Sequence, residues 1–157
     1  MRINKDSLKA KANNISKELG ISQNIVYNRF FFDAFLKRLA ISKYKDKLIL
    51  KGGLYLSSVC GIESRSTMDI DFYLGRMPLE EERVIAMISD IASIDGGDDV
   101  VFEVAGSTPI RADDNYGGFQ VAMIGRLDNV RFRFGIDIAT GDPIIPYEKN
   151  YNYECLV

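Results

Sequence analysis

The first forty residues place apolar side chains at the spacing of an α-helix. One apolar stripe consists of Leu8, Ala12, Ile15 and Leu19. It predicts a first helix over about 6–19 that ends at Gly20, where glycine accepts a left-handed conformation. Ser22 is a favourable N-cap for a second helix through about residue 39. The Phe run 30–32 makes this second helix apolar nearly all round, so we expect it to be central.

Beyond residue 47 the pattern changes to short apolar runs and alternation, which are typical of strands. We predict strands at 48–50, 68–74, 100–104, 119–124 and 130–138. Helices are predicted at 54–60 and from Pro78, with three glutamates in the first turn, to the stop at Gly96-Gly97. The order of these elements predicts an α+β fold, with a mixed sheet flanked by helices and preceded by a helical pair.

The last predicted strand shows the clearest alternation in the chain. One face carries Val130, Phe132, Phe134, Ile136 and Ile138. The other face carries Arg131, Arg133, Gly135, Asp137 and Ala139. We therefore expect the first set to pack in the core and the second set to lie on a polar surface.

Composition limits the chemistry that is possible. The chain has 157 residues, 46% hydrophobic and 27% charged, which predicts one globular domain with a helical lead-in at 1–47 and a sheet at 48–157. It has no histidine and two cysteines, which excludes His-based triads and zinc sites of the usual kinds and a disulfide framework. No signal peptide or membrane span is visible, so we expect a cytoplasmic protein.

Charge is distributed unevenly along the chain. Residues 1–51 contain twelve Lys and Arg against four Asp and Glu, whereas residues 52–157 contain eight against eighteen. This asymmetry is compatible with a polyanion on one side and bound cations on the other. The simpler interpretation, which we favour, is that the lysines only solubilise helix faces. If the partner is RNA, the lysines expected beside the site are Lys5, Lys9, Lys11, Lys17, Lys43, Lys45 and Lys47.

Three aspartates form the strongest chemical signal. Asp69 and Asp71 share one face of the predicted strand 68–74, because alternate residues of a strand point the same way. Two carboxylates so close repel each other and need a cation or a proton. Oxygen ligands of this kind suit Mg²⁺. Asp137 lies in a similar apolar-Asp-apolar run, and if its strand lies beside the first, three carboxylates can converge on one or two metals.

Gly52 and Gly53 connect the first predicted strand to a short helix. Glycines let the backbone approach a phosphate closely, and the N-terminus of the helix offers N–H groups to it. A Gly-Gly pair alone is typical of an ordinary turn, and an Asp-x-Asp alone is common on surfaces. Their succession, followed by a later apolar-Asp-apolar strand, favours a metal-dependent nucleotide site.

Together these residues resemble a known family. Gly52-Gly53, Asp69-Ile70-Asp71 and Asp137 resemble the nucleotidyltransferase superfamily related to DNA polymerase β. A closer resemblance is to the AbiEii/AbiGii-toxin nucleotidyltransferase-like family. It extends over nearly the whole chain and is carried by Leu50-Lys51-Gly52-Gly53, Leu56, Ser57, Gly61, Arg65, Thr67, Asp69 to Phe72 and Ile136 to Pro143.

The resemblance implies a nucleotidyltransferase fold and a toxin of a bacterial toxin–antitoxin or abortive-infection system. Such a protein uses Mg²⁺ and an NTP to transfer a nucleoside monophosphate to an acceptor, expected to be tRNA, and has a cognate antitoxin. Asp69, Asp71 and Asp137 are the implied metal ligands and catalytic residues, and Asp137 assists the attacking hydroxyl. The implied nucleotide contacts are Lys51, Gly52, Gly53, Arg65 and Thr67.

Two features depart from the family pattern. The position after Gly-Gly is usually a small hydroxyl residue but here is Leu54, which removes one possible phosphate contact. The downstream lysine and aspartate of the family have no counterpart before Val157. We therefore expect the C-terminal helical part of the family to be missing and the chain alone to turn over poorly. We also expect the apolar stretch 144–157 to be covered by another molecule, such as a second copy in a homodimer.

Two other interpretations remain open. Residues 15–27 resemble a helix-turn-helix with its turn at Gly20, which would make the protein a DNA-binding regulator. The Phe run that follows argues against this, since it favours a core helix. Alternatively, the chain is a catalytically incomplete binding domain with the nucleotidyltransferase fold.

Overall fold

Three helices and five strands form from the residues that the structure, a computed structural model, describes: 4–51, 69–75, 80–110 and 118–139. The helices are α1 (Lys5–Leu19), α2 (Gln23–Ala40) and α3 (Glu81–Ala92). The strands are β1 (Leu48–Lys51), β2 (Asp69–Leu74), β3 (Val101–Ile110), β4 (Gly118–Leu127) and β5 (Val130–Ala139). This arrangement confirms the predicted α+β class.

The ends of the first two helices follow from their capping residues. Asn4 precedes α1 and its side chain accepts a 2.8 Å hydrogen bond from the backbone N–H of Ser7, so the helix begins one residue earlier than predicted. Gly20 closes α1 with φ of 67°, a conformation that favours glycine. Ser22 caps α2 by accepting from the N–H of Ile25 at 3.3 Å, as the sequence predicts.

The third helix is shorter than predicted. The structure starts it at Glu81, with Glu80 at the N-cap, and ends it at Ala92 instead of Gly96-Gly97. After Ala92 the backbone turns more tightly, because the N–H of Ser93 is shared with the carbonyl of Asp90 and the N–H of Ile94 donates to the carbonyl of Ile91, three residues back rather than four. Pro78 and the predicted helix at 54–60 lie outside the described residues.

The strands form one mixed sheet in the order β1-β2-β5-β4-β3. The central pair, β2 and β5, is parallel, whereas the other three neighbouring pairs are antiparallel. β3 and β4 are each longer than predicted. β3 continues past an irregularity between Val104 and Gly106 and includes Pro109, which is tolerated because β3 is an edge strand of the described sheet.

All three described helices contribute buried side chains to one face of the sheet, which we call the covered face. Its strand residues include Ile70, Phe72, Phe102, Val121, Met123, Phe132, Phe134, Ile136 and Ile138. On α2, Phe31 stacks on Phe132 at 5.9 Å between ring centroids, and Phe32 meets Phe134 edge-on at 5.4 Å. The predicted central position of α2 is confirmed.

Gly125 shows how tightly the covered face is packed. It lies on β4 opposite Phe132, and a Cβ atom added to it would be 2.5 Å from a ring carbon of Phe31. Phe31 has no exposed surface. The absence of a side chain at Gly125 is therefore what admits this aromatic ring to the sheet.

Arg38 joins the end of α2 to the segment before β3. Its guanidinium binds both carboxylate oxygens of Asp98, donates to the carbonyls of Ala34 and Val100, and lies 5.1 Å from the ring centroid of Phe102. Burial favours a higher pKa for Asp98. The hydrogen bonds and charge of Arg38 outweigh it, so the pKa lies below the ordinary value of 3.8.

Within the ranges that the structure describes, no helix is both long enough and apolar enough to cross a membrane.

Candidate functional site

Asp71 and Asp137 lie side by side on the face of the sheet opposite the helices. They are register partners in the parallel pair β2–β5, with Ile70 beside Ile136 and Phe72 beside Ile138 on the covered face. Both carboxylates are partly exposed, while the isoleucines are fully buried. Neighbouring strands are about 4.8 Å apart. The alternation of each strand thus anchors its apolar residues in the core and presents one carboxylate to the other.

Gln120 on β4 holds the carboxylate of Asp137. The two residues are register partners, and the side-chain amide Nε2 donates a 2.9 Å hydrogen bond to Oδ1 of Asp137. This hydrogen bond restricts the rotation of the carboxylate and occupies one of its oxygens. Gln120 is the site residue that the sequence interpretation missed. Its available signal was a polar position between Phe119 and Val121 on a strand otherwise apolar at that end.

One row of register positions crosses all five strands at this level. It consists of Lys51, Asp71, Asp137, Gln120 and Thr108, on β1, β2, β5, β4 and β3 respectively. Every member is a polar residue type, and Lys51 is placed by its backbone alone, since its side chain lies outside the described part of the chain. The row places a basic residue and two acids in immediate succession in the sheet.

The structure describes the other predicted site residues only in part. Asp69 is the register partner of Gly135, two positions before Asp71, but its side chain lies outside the described part of the chain. Gly52, Gly53, Arg65, Thr67 and the C-terminal stretch 144–157 also lie outside the described residues. Among the side chains that are described, no group of three acidic or thiol ligands comes together, so the described part of the site is the pair.

We call the face that carries the acid pair the polar face, defined by Asp71, Asp137, Gln120, Arg126, Arg131 and Arg133. The exposed basic residues that the structure describes are found on both sides of the sheet. The α1 lysines lie on a helix that packs on α2, whose aromatic residues meet the covered face. Tyr44, between Lys43 and Lys45, donates a hydrogen bond to Asp90 of α3 at 2.6 Å. The lysines of α1, and Lys43 and Lys45 in the turn after α2, therefore belong to segments that pack on the other side of the sheet from the acids.

α2 is a core helix rather than a groove-reading one. Of its residues, Val26 and ten further side chains up to Leu39 are buried. Ser22, Gln23 and Asn24 are exposed, but they cap and begin a helix whose continuation is covered by the sheet. This arrangement leaves little of the second helix accessible to a DNA groove.

Comparison with known proteins identifies a family model described as nucleotidyl transferase AbiEii toxin, type IV TA system, which matches residues 34–157. JHP933 from Helicobacter pylori has a structure 15% identical in sequence, with a TM-score of 0.48 over 80% of this chain and 47% of that one. A second H. pylori structure, described as a candidate nucleotidyltransferase, is 17% identical, with a TM-score of 0.47 over 78% of this chain and 48% of its own. The chain spans about half the length of these two proteins. No curated protein matches it.

Proposed function

We propose that the chain, which belongs to the AbiEii nucleotidyltransferase toxin family, transfers a nucleoside monophosphate from an NTP to the hydroxyl of an RNA acceptor, with tRNA as the expected acceptor. The observation that carries the proposal is the in-register pair of Asp71 and Asp137 on the polar face. The toxin–antitoxin family makes a cognate antitoxin the expected partner.

The donor set of the pair fits a hard divalent cation. Two carboxylates on adjacent strands repel each other, and a cation between them converts that repulsion into binding. Mg²⁺ prefers oxygen ligands and takes the rest of its coordination from water and substrate phosphates. Asp71 and Asp137 would hold it together with Asp69. When bound, the ion neutralises charge that develops on the transferred phosphate.

Asp137 is the proposed proton acceptor for the attacking hydroxyl. The acceptor oxygen forms a bond to the α-phosphorus of the NTP, the bond from that phosphorus to the bridging oxygen of pyrophosphate breaks, and the hydroxyl proton passes to a carboxylate oxygen. Gln120 holds Oδ1 of Asp137, so the other oxygen, Oδ2, is oriented by the same hydrogen bond. Positioning of this kind contributes to rate by fixing the reacting groups before the step occurs.

The nucleotide is proposed to bind beside the acids, at the end of β1. Lys51 is the last residue of β1 and the register partner of Asp71, and the Gly-Gly pair follows it directly in sequence. A triphosphate bound there by Lys51, Gly52 and Gly53, with Arg65 and Thr67, lies next to the acid pair. Backbone N–H groups of glycine-rich turns suit phosphate oxygens.

The experiment compares nucleotide transfer by the wild type, Asp71→Asn and Asp137→Asn. Radiolabelled NTPs, Mg²⁺ and total tRNA are incubated with each protein, and label in RNA is counted. Each variant should lose transfer by about a hundredfold or more, the effect of removing one preorganised group at a charged transition state. Asp46→Asn is the matched control, since it makes the same charge change on an exposed residue of the α2–β1 connection.

Transfer that persists in both Asp variants would contradict the proposal. A wild type that binds Mg²⁺ and NTP by calorimetry but transfers no label would instead favour the catalytically incomplete binding domain.

A further inference from the structure

Three arginines form a strip on the polar face: Arg126 of β4 and Arg131 and Arg133 of β5. Arg131, Arg133 and Asp137 occupy alternate positions of one strand and so point to the same side of the sheet. Arg126 is the direct register partner of Arg131 across the β4–β5 ladder. We refer to these three residues as the arginine strip.

The strip presents unneutralised positive charge to solvent. Arg131 and Arg133 are exposed, and within the described part of the chain neither guanidinium forms a hydrogen bond or a salt bridge. Arg126 forms a 2.9 Å salt bridge with Glu103, in which both side chains are about half exposed, at 49% and 53%. Among the described residues, one of the three arginines thus forms a salt bridge and the other two form none.

Stability of the sheet does not account for this arrangement. Like charges directly opposite on an antiparallel ladder, such as Arg126 and Arg131, destabilise the pair. Charged residues on an edge strand can prevent unwanted strand pairing, but β4 and β5 are interior strands of the described sheet, so this explanation does not apply either.

We infer that the arginine strip binds the phosphate backbone of the RNA acceptor, an inference that rests on the proposed function. Arginine presents a planar set of donors that matches phosphate oxygens, and an anion between Arg126 and Arg131 replaces their repulsion with attraction.

The spacing also fits a strand that ends at the acid pair. Arg133 lies four positions from Asp137 and Arg131 six, which is about 13 and 20 Å along a strand. At about 3.4 Å per stacked nucleotide, the strip meets phosphates roughly four to six nucleotides from the reacting end.

The α1 lysines provide a matched control for this surface. Lys9 and Lys11 are exposed like Arg131 and Arg133 and are also two positions apart. They lie on α1, which packs on α2 rather than on the polar face. The variants Arg131→Gln/Arg133→Gln and Lys9→Gln/Lys11→Gln therefore remove the same charge from the two sides of the sheet.

The experiment measures binding of a fluorescently labelled 12-nucleotide single-stranded RNA by anisotropy, from low to moderate salt and without NTP. The arginine variant should bind about tenfold more weakly at low salt, and the slope of log affinity against log salt should fall by about 1.4, or 0.7 for each phosphate that is no longer neutralised. The lysine variant should bind within twofold of the wild type. The melting temperatures of both variants should be at least as high as that of the wild type. For the arginine variant this is expected because the substitutions relieve repulsion between like charges.

Equal weakening by the two variants would overturn the inference, because it would show only an effect of net charge. RNA binding that is unchanged by the arginine substitutions would also overturn the inference and would favour an acidic protein as the partner of the arginine strip.

The result of this binding experiment can be separated from the result of the transfer assay. If the protein transfers nucleotides but the arginine substitutions do not affect RNA binding, only the role of the arginine strip is refuted. If RNA binding depends on the strip but no transfer is found, only the proposed transferase function is refuted.

Discussion

The two faces of the sheet are built from the same strands but do different things. On β5, Phe134, Ile136 and Ile138 are buried under the helices, while Arg133 and Asp137, between and beside them, are on the polar face. The positions on the covered face contribute buried apolar side chains, and the positions on the polar face contribute charged side chains. Because neighbours in sequence point to opposite faces, the buried side chains of β5 hold its carboxylate in place from the other side of the sheet.

This separation has a consequence for variants. Changes at buried positions of the covered face should lower the free energy of unfolding by several kcal/mol, whereas changes at the exposed charged positions of the polar face should alter binding and transfer and change stability by no more than about 1 kcal/mol. The division is not absolute, since Arg38 and Asp98 place a buried ion pair at the edge of the covered face. Four variants or pairs of variants test the division, beginning with the largest expected effect.

Phe31→Ala should be the most destabilising change. Phe31 is fully buried and contacts the rings of Phe30, Phe102 and Phe132, so truncation leaves a cavity. We expect a loss of about 3–5 kcal/mol in urea unfolding. Arg133→Ala, on the opposite face, should change stability by no more than about 0.5 kcal/mol. A similar loss for both would show that the polar face also stabilises the fold.

Asp98→Asn should cost about 1.5–3 kcal/mol at neutral pH, because it leaves the guanidinium of Arg38 buried beside a neutral partner. The folded state lowers the pKa of Asp98, so its stabilising effect is fully present above pH 3.8 and is lost as the pH falls through the lower, folded value. Unfolding curves from pH 7 to pH 2 should therefore converge for wild type and variant in acid. A constant difference at all pH values would contradict the role assigned to the charge.

Gly125→Ala and Gly106→Ala compare the same change on the two faces. The new methyl group at 125 would meet the ring of buried Phe31 and should cost about 1–3 kcal/mol. Gly106 pairs with Ala122 on the polar side of β3 and β4, and no atom of the described residues lies within 4 Å of its added Cβ. Gly106→Ala should be neutral or stabilise by up to about 1 kcal/mol. Thermal melting of the two variants decides whether the faces differ as described.

Asp71→Asn should have the smallest effect and the opposite sign. Without a divalent ion, the carboxylates of Asp71 and Asp137 repel each other, so removing one charge should raise the stability by up to about 1 kcal/mol. Calorimetric melting in the presence of a chelator measures this gain, and added Mg²⁺ should abolish or reverse it by stabilising the wild type. A variant less stable than the wild type under chelation would indicate that Asp71 is structural.

Local signals predicted the elements well. Gly20 and Ser22 fix the ends of α1 and α2 through a left-handed turn and a cap, and both interactions involve residues close in sequence. The alternation of β5 also predicted which of its residues are buried. The extent of β3 was missed, because Gly106 and Pro109 are weak strand formers that only an edge position and pairing with β4 make acceptable.

Prediction of the candidate site required information about pairing between distant strands, in addition to local sequence patterns. The sequence singled out Asp71 and Asp137 as separate apolar-Asp-apolar runs, and the expectation that their strands lie side by side is confirmed. The exact register, and the hydrogen bond from Gln120, follow from long-range pairing and could not be derived from local patterns. The roles of Asp69, Gly52, Gly53, Arg65 and Thr67 stay predictions.

The parallel pairing of β2 with β5 also sets when the acid pair can exist during synthesis. Asp71 and Asp137 are 66 positions apart, and α3, β3 and β4 are all made in between. At roughly 5–20 residues per second, a ribosome needs about 3 to 13 s to pass from one to the other. During that interval the nascent chain carries one carboxylate strand without its partner. For a member of a toxin family, the topology thus introduces a delay between translating the first acid and completing the pair.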